Sequence, residues 1–301
     1  MIELTRDQIE RFHEDGFLIV DKLIDVADVD RLLERYEPLF RGEFETGIEP
    51  DEWNWREGRD AEDRTRQICN AWKADRTIAG VSLRPDIGRA TSTLMGWPGA
   101  RVQVDNVLWK PAGAKSIAFH QDCSYLRWFT PLGMCSCWIA LDDTTATGGT
   151  MELVRGSHKW GEFPVAKNFH APSDYRADLT GAARKVGKTP EFVPVVVPKG
   201  GGSFHHGWTW HGSGPNTTGK PRRTLVSHTI NSEVRYDRAH VGEGTGPWYG
   251  RYMRQDSDEM DENYFPILWT GDGRRTKWLD AYAANGRPAQ TGTKSGGKRA
   301  A

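Results

Sequence analysis

Apolar and polar positions in the first third of the chain follow helical spacing, interrupted by one short apolar stretch. Residues 5–16 open on a capping-box pair and close on a glycine, so a helix is predicted there. The run 17–20 has the length of a buried strand, and residues 25–36 keep helical spacing behind an aspartate cap. A third helix is predicted over 85–96, between a proline and a glycine. The charged segment 41–66 is expected to be a long loop over the entrance to a site.

From residue 101 the pattern changes to the two-residue alternation of β-strands, with Gly and Pro clusters between the strands. The predicted strands are 101–110, 135–142, 150–154, 191–198, 203–206 and 223–230. Many short strands separated by such turns are typical of a barrel or a double-sheet jelly roll. The expected fold class is therefore mainly β, with flanking helices around a jelly-roll, cupin-like core.

These patterns predict one domain over residues 1–285, without an internal repeat. Its parts are expected to be a helical N-terminal part (1–100), the jelly-roll core (101–232) and a C-terminal covering segment (233–285). The remaining residues, 286–301, carry no large apolar side chain and are expected to be a disordered tail.

Charge and cysteine content narrow the functional class. Lys and Arg number 40 against 41 Asp and Glu in 301 residues, which argues against a nucleic-acid binder. The 4 cysteines are expected to be reduced thiols. The chain shows neither the apolar core of a signal peptide nor a run of membrane-spanning length. A cytoplasmic protein with a small-molecule partner and no membrane partner is therefore expected, and the oligomeric state stays open.

The segment His120-Gln121-Asp122 has the spacing of a metal-binding pair. In extended backbone, residues i and i+2 face the same side, so His120 and Asp122 can reach one ion while Gln121 points away. The motif is short, and residues 13–15 (His-Glu-Asp) also match it. That second match lies in the predicted first helix, where residues two apart point about 200° apart around the axis. It therefore cannot hold one small ion.

A further histidine is needed to complete a two-histidine, one-carboxylate site for ferrous iron. His211 precedes a turn and has Arg222, a cation suited to a remote carboxylate, eleven residues later. His228 and one later histidine have arginines at similar distances, so spacing alone does not decide. The expected position of His211 at the end of a strand favours it, since functional residues gather at barrel rims. His205 and His206 are expected to make core hydrogen bonds or to line the pocket.

Several motifs, in order over about residues 10–232, resemble those of one enzyme family. They are 14–17 (EDGF), 109–111 (WKP), 120–125 (HQDCSY), 138–143 (WIALDD), 156–159 (GSHK), 211–216 (HGSGPN) and 221–223 (PRR). Together they make the chain similar to the phytanoyl-CoA dioxygenase family of iron(II)- and 2-oxoglutarate-dependent oxygenases. The resemblance implies a double-stranded β-helix of the jelly-roll type. The histidine of the 156–159 motif is expected to be structural.

The resemblance also implies a cofactor set and assigns residues to it. Iron(II) is expected to be held by two imidazoles and one carboxylate, His120, Asp122 and His211. The co-substrates are 2-oxoglutarate and dioxygen. Arg222 is expected to bind the distal carboxylate of 2-oxoglutarate, with Arg223 as the alternative, because one residue of register decides which of them faces inward. Trp138 is expected to pack on the co-substrate and Asn106 to hydrogen-bond it.

The reaction that these assignments imply is hydroxylation of an unactivated C–H bond, with release of succinate and carbon dioxide. Desaturation, epimerisation and ring closure use the same ligands and stay open. Halogenation is disfavoured because related halogenases have a small residue where this chain has Asp122. The alternatives are a cupin-like, metal-dependent isomerase or hydrolase that would not need Arg222, and a lectin-like binding module.

The substrate itself is not readable from the sequence. No long basic run suits the phosphates of coenzyme A, which favours a small polar or natural-product substrate. Three aromatic residues close to the expected ligands are candidates for the cavity wall, with core packing as the alternative. They are Tyr125, Trp128 and Trp210.

Overall fold

The computed structural model describes residues 1–166 and 168–284. The helices in these ranges are α1 Arg6–Asp15, α2 Val26–Phe40, α3 Arg76–Ser82, α4 Pro85–Met95, α5 Ala177–Val186, α6 Gly246–Tyr249 and α7 Leu279–Ala284. None of them combines the length and the apolar character that crossing a membrane would require. The predicted disordered tail, 286–301, lies outside the described residues.

Among the described residues, strands occur before and after the predicted core of residues 101–232 as well as within it. They are β1 Phe17–Val20, β2 Glu52–Trp53, β3 Arg66–Cys69, β4 Gly99–Lys110, β5 Ile117–His120, β6 Phe129–Thr130, β7 Cys135–Ala140, β8 Met151–Val154, β9 Phe192–Pro194, β10 Gly202–His206, β11 His211–Ser213, β12 Arg222–Asn231, β13 Arg235–Tyr236 and β14 Ile267–Thr270.

Eight strands form the major sheet, in the order β1-β10-β7-β12-β4-β3-β2, with β14 pairing against the start of β4. Its centre is the long antiparallel pair of β4 and β12, which runs from Arg222 opposite Lys110 to Asn231 opposite Ala100. The register of this pair shifts after His228, so the pair contains a bulge. The sheet therefore combines strands from before, within and after residues 101–232.

Four strands form the minor sheet, in the order β5-β11-β8-β9. Residues of β5, β8 and β11 line one cavity together with residues of β4, β7 and β12, so the two sheets face each other across it. Two antiparallel sheets that enclose a cavity form a jelly roll. The predicted fold class, mainly β with flanking helices, is confirmed.

Helices of the N-terminal part cover the outer face of the major sheet. Leu32 and Tyr36 of α2, both 0% exposed, belong to the same core as Ile139 of β7 and Leu225 of β12. The two α2 residues are four positions apart and therefore lie on one face of the helix. Tyr36 also donates its hydroxyl to the Thr224 carbonyl at 2.7 Å, which satisfies its buried polar atom.

The predicted start of the chain is confirmed in detail. Thr5 and Gln8 form the capping box, and Gly16 closes α1 in the left-handed conformation, with φ of 83°. Asp25 precedes α2 as expected, but its side chain makes no cap hydrogen bond. It pairs instead with Lys22 at 2.8 Å.

Three expectations differ from the structure. The segment 41–66 is not all loop, because β2 lies within it and β3 begins at its end, and both join the edge of the major sheet. Helix α3 was missed because its last five residues are all buried, which removes the one-sided pattern of an amphipathic helix. The segment expected to be irregular, 235–285, contributes β14 to the major sheet and contains two short helices.

The packing of α2 predicts a stability difference between two positions of that helix. Leu32→Ala should lower the free energy of unfolding by about 2–5 kcal/mol, because a fully buried leucine leaves a cavity. Val26→Ala on the same helix should change it by less than about 0.5 kcal/mol, because Val26 is 47% exposed. Urea unfolding measures both. Equal effects would show that α2 does not dock on the sheet through Leu32.

Candidate active site

The two candidate histidines lie opposite each other on neighbouring strands. β5 and β11 pair antiparallel, and His211 is the direct partner of His120, with ring centroids 4.2 Å apart. Gly212 permits this close approach of the strands, since a Cβ there would lie 2.8 Å from the Phe119 ring. The expectation that His211 ends a strand is wrong: it begins β11, and the preceding strand already ends at His206.

Asp122 joins the two imidazoles because the chain turns directly after β5. Gln121 keeps an extended backbone, with φ of −116° and ψ of 125°, and a 3₁₀ turn begins at Asp122. His120 and Asp122 therefore point to the same side, and Gln121 points away. The Gln121 amide donates to the carbonyls of Trp208 (2.8 Å) and Gly161 (3.0 Å), which anchors the turn.

One oxygen of Asp122 faces both imidazoles. Oδ1 lies 3.5 Å from Nε2 of His120 and 3.6 Å from Nε2 of His211. These three donor atoms all lie within 4.8 Å of one another. Two nitrogens and one carboxylate oxygen thus converge on a common point.

Each imidazole turns its other nitrogen towards a backbone carbonyl. Nδ1 of His120 lies 2.9 Å from the Ala118 oxygen, and Nδ1 of His211 lies 3.0 Å from the Thr209 oxygen. A carbonyl only accepts, so both Nδ1 atoms carry the proton and both Nε2 lone pairs face the cluster. Burial, and next the neighbouring His120, lowers the pKa of His211 well below its ordinary value. The ring is therefore neutral, which is the form that binds metals.

Asp122 is ionised, and its second oxygen faces the major sheet. Burial opposes ionisation, but the polar surroundings of Asp122 hold its pKa well below its usual range. Oδ2 accepts a hydrogen bond from the Ser136 hydroxyl at 3.1 Å and lies 3.4 Å from Nε2 of His205. The sequence analysis missed Ser136, because a serine in a strand carries no signal of its own.

His205 and His206 were each expected to line the pocket or to make a hydrogen bond in the core, and each does one of the two. His205 lines the cavity, is 1% exposed, and has no hydrogen-bond partner for either ring nitrogen among the described residues. His206 accepts a hydrogen bond through Nδ1 from the backbone nitrogen of Trp208 at 3.1 Å. Only His205 is therefore part of the surroundings of Asp122.

A cavity of about 670 Å³ opens beside the cluster. Its wall combines both sheets with the segments 51–65 and 244–249. About half of its side chains are apolar or aromatic, and these supply most of the wall's surface. Tyr125 lines it, whereas Trp128 and Trp210 are core residues, 0% and 2% exposed. Apart from histidines, Arg222 is the one cationic side chain among the described residues of the wall.

Asp51 ties together three segments beside the cavity, and we call this group the Asp51 clasp. Its carboxylate accepts hydrogen bonds from Asn70 (2.6 Å), Lys73 (2.8 Å), Arg251 (2.7 Å) and Tyr252 (2.6 Å). Burial alone would raise the pKa of Asp51, but Lys73 and the hydrogen bonds hold it below its usual value. The clasp therefore joins the 41–66 segment to the C-terminal covering segment.

The two adjacent arginines at the start of β12 point in opposite directions. Arg222 is 6% exposed in the cavity wall, where Nε and Nη2 donate to the Gly149 carbonyl at 3.2 and 3.0 Å. Burial lowers the pKa of Arg222 to about 10, so it stays charged at neutral pH. Arg223 instead binds Asp142 through Nε (3.0 Å) and Nη2 (2.6 Å).

Trp138 and Asn106 both line the cavity, as candidates for co-substrate contact should. The Arg222 guanidinium lies 5.8 Å from the Trp138 ring centroid, so a ligand on Arg222 would meet that ring. Nδ2 of Asn106 lies 3.0 Å from Nε2 of His228. The amide nitrogen of Asn106 is thus already engaged within the protein.

Lys110 is a buried cation that the sequence analysis did not assign. It is 0% exposed, and Nζ donates to Oγ of Ser213 at 2.9 Å and to the Gly214 carbonyl. Burial, and next the charge of Arg222, lowers the pKa of Lys110 to about 6. The motif at 109–111 contains it, but only the fold brings it beside Arg222, where it holds Ser213 in the cavity wall.

A family model now places the whole cluster in a known family. The phytanoyl-CoA dioxygenase (PhyH) model matches residues 12–224, which include His120, Asp122, His211 and Arg222. The chain belongs to the phytanoyl-CoA dioxygenase family. Its enzyme class is that of non-haem iron, 2-oxoglutarate-dependent oxygenases, so the resemblance seen in its motifs is confirmed.

Relatives in the family act on different molecules. Peroxisomal phytanoyl-CoA dioxygenase of Homo sapiens is 25% identical over 251 residues, which cover 77% of this chain and 70% of that protein. Methylphosphonate hydroxylase of Gimesia maris is 26% identical over 224 residues, 74% of this chain and 79% of that one. Membership therefore gives the class of chemistry and leaves the substrate open.

Solved structures of family-like enzymes share the fold. The epimerase SnoN, in complex with Fe3+, α-ketoglutarate and nogalamycin RO, superposes with a TM-score of 0.65 at 19% identity, covering 87% of this chain and 97% of SnoN. The carbocyclase SnoK from nogalamycin biosynthesis gives 0.64 at 21%, covering 88% and 96%. At these identities the likeness supports the jelly roll of this phytanoyl-CoA dioxygenase family member and no more.

Lys110 predicts how the stability of this family member depends on pH. Its pKa is about 6 in the fold against an ordinary 10.5, so between these values the unfolded chain binds one more proton. The free energy of unfolding should therefore rise with pH across that window, by at most about 1.4 kcal/mol per pH unit from this group. Lys110→Met should flatten the rise, as measured by urea unfolding at several pH values. Equal slopes in both proteins would mean that Lys110 stays charged when folded.

Proposed function

We propose that this protein uses Fe(II), 2-oxoglutarate and dioxygen to hydroxylate a C–H bond of a small molecule, releasing succinate and carbon dioxide. The observation that carries the proposal is the convergence of Nε2 of His120, Oδ1 of Asp122 and Nε2 of His211 within 4.8 Å. Two neutral imidazoles and one carboxylate are the donor set of non-haem iron oxygenases.

The donor separations fit one ion. Two metal–ligand bonds of about 2.1 Å span at most about 4.2 Å, so atoms 3.5 and 3.6 Å apart can share a metal. The protonated Nδ1 atoms of both histidines hold the rings in the tautomer that this requires. Asp122, as the ionised member, supplies the negative charge. The chemistry supplied by bound iron is oxygen activation coupled to decarboxylation of 2-oxoglutarate.

Arg222 is the residue proposed to bind the distal carboxylate of 2-oxoglutarate, and Arg223 is not. Arg222 is charged, buried and oriented by Gly149, which favours two-point contact with a carboxylate. Arg223 already has the carboxylate of Asp142. Trp138 is proposed to pack on the co-substrate, and Asn106 to donate to it through the second hydrogen of Nδ2, the first being directed at His228.

The substrate is proposed to be a small, largely apolar natural product. The aromatic wall and the volume of about 670 Å³ suit such a molecule, and the described wall offers no lysine to phosphates. SnoN and SnoK, an epimerase and a carbocyclase, have the same fold, so those outcomes remain rivals of hydroxylation. A cytoplasmic location stays a prediction, supported by the four cysteines, which are buried and unpaired.

The metal site predicts a spectroscopic signal. Fe(II) and 2-oxoglutarate added without oxygen should give a visible charge-transfer band, which His211→Ala and Asp122→Ala should abolish. His206→Ala is the matched control, because that imidazole lies outside the cluster, and it should keep the band. A wild-type protein without the band would favour the isomerase, hydrolase or lectin-like alternative.

The arginine assignment predicts a contrast between neighbours. Arg222→Ala should raise the KM for 2-oxoglutarate by at least about tenfold, since a buried charged hydrogen bond is worth about 1.5–3 kcal/mol. Fe(II) binding should not change. Arg223→Ala should leave the KM unaltered and lower only thermal stability, through loss of its pair with Asp142. The reverse pattern would assign the carboxylate to Arg223.

A screen for succinate release with candidate metabolites tests the reaction itself. Product analysis by mass then separates hydroxylation from its rivals. Hydroxylation adds one oxygen atom, ring closure and desaturation each remove two hydrogen atoms, and epimerisation leaves the mass unchanged. A substrate whose mass stays the same would overturn hydroxylation while keeping the enzyme class.

A further inference from the structure

The second oxygen of Asp122 is held by a hydroxyl that has a defined direction. Oγ of Ser136 lies 3.1 Å from Oδ2 of Asp122 and 2.7 Å from Nδ1 of His228. The hydroxyl has a single proton, which it donates to Oδ2 of Asp122. The hydroxyl oxygen must then accept from His228, whose Nδ1 carries a proton.

The donor-to-acceptor direction of these hydrogen bonds continues through the imidazole of His228. With its proton on Nδ1, His228 has a bare Nε2, which lies 3.0 Å from Nδ2 of Asn106 and accepts its hydrogen bond. The amide orientation of Asn106 is thereby set, and its Oδ1 lies 3.4 Å from Nε2 of Gln67. Gln67, Asn106, His228 and Ser136 therefore form a row of hydrogen bonds, in which each side chain donates to the next and the last donates to the Asp122 carboxylate.

The row crosses the inner face of the major sheet from strand to strand. Its residues lie on β3 (Gln67), β4 (Asn106), β12 (His228) and β7 (Ser136), which are consecutive neighbours in the sheet. Ser136 is the direct cross-strand partner of His228. Gln67, Asn106 and His228 also line the cavity, so the row connects the cavity wall to the carboxylate.

We propose that Ser136, His228, Asn106 and Gln67 are positioning residues that commit Oδ2 of Asp122 to the protein and so leave Oδ1 for the metal. This rests on the proposed iron site. It adds Ser136, His228 and Gln67, which the family resemblance did not assign, and it gives Asn106 a second role. A carboxylate free to rotate can offer both oxygens to an ion and take up a position that a co-substrate needs. The hydrogen bond from Ser136 opposes that rotation, as partners behind metal ligands generally do.

The test is titration of the apoprotein with Co(II) alone, followed by visible absorption, without 2-oxoglutarate. Ser136→Ala removes the hydroxyl that links Asp122 to His228. It should weaken Co(II) binding by about 10- to 100-fold and alter the absorption bands of the bound ion, since the ligand oxygens are rearranged. Asn106→Leu, which removes the amide that donates to His228, should shift both readouts in the same direction by a smaller factor.

Ser227→Ala is the matched control. Ser227 is a fully buried serine next to His228, but its hydroxyl bonds the Ser82 carbonyl at 2.8 Å on the other face of the sheet. It should lower stability without changing Co(II) affinity or spectrum. Equal weakening by Ser227→Ala would mean that general packing is responsible and would overturn the proposal.

The remaining outcomes separate the row from the iron site. If Ser136→Ala binds Co(II) with the affinity and spectrum of the wild-type protein, the positioning role of the row is wrong and the proposed metal site still stands. Failure of the wild-type protein to bind Co(II) would overturn the metal site and the row with it. If Ser136→Ala does not fold, Asn106→Leu decides, and unchanged Co(II) binding in that variant overturns the proposal.

Discussion

The pairing of β5 with β11 is the constraint on which the site depends. It sets His211 directly opposite His120, and both side chains of such a pair point to one face of the minor sheet. A slip of one residue in either strand would turn one imidazole to the opposite face. Gly212 lets the strands approach closely, because any larger residue would meet Phe119. The convergence of the candidate ligands is thus a consequence of strand register before it is a consequence of ligand chemistry.

Asp122 is where the two sheets act on the same side chain. Its Oδ1 faces imidazoles of the minor sheet and its Oδ2 faces Ser136 of the major sheet. A buried carboxylate is costly unless each oxygen has partners, and the jelly roll supplies them from opposite sides. On the same inner surface, burial of Arg222 and Lys110 has opposite results. The guanidinium stays charged at neutral pH, whereas the amine loses most of its charge.

Local pattern predicted the parts of the site that lie close together in sequence. The pair His120 and Asp122 follows from strand geometry, and the capping box at Thr5 follows from a four-residue motif. The choice of Arg222 over Arg223 needed the register of β12, which no local pattern contains. Ser136 and His228 are contributed by distant strands, and a single serine or histidine there has no distinguishing neighbours. Lys110 lies in the 109–111 motif, but only the pairing of β4 with β12 shows that it lies beside Arg222. Helix α3 was not predicted for a related reason. Its residues are buried on most sides, so the sequence lacks the alternation of apolar and polar positions that marks a helix.

The Asp51 clasp has a consequence for how new specificities arise in such enzymes. The two candidate imidazoles and Arg222 lie on strands of the β core, and Asp122 lies in the turn directly after β5. One side of the chamber is instead bordered by two segments that are joined through the Asp51 carboxylate. The strand pairs β5–β11 and β4–β12, which carry these side chains, lie outside both segments. The donor cluster and the chamber wall therefore belong to separate parts of the fold, and the wall can differ in shape while the donor atoms keep their register.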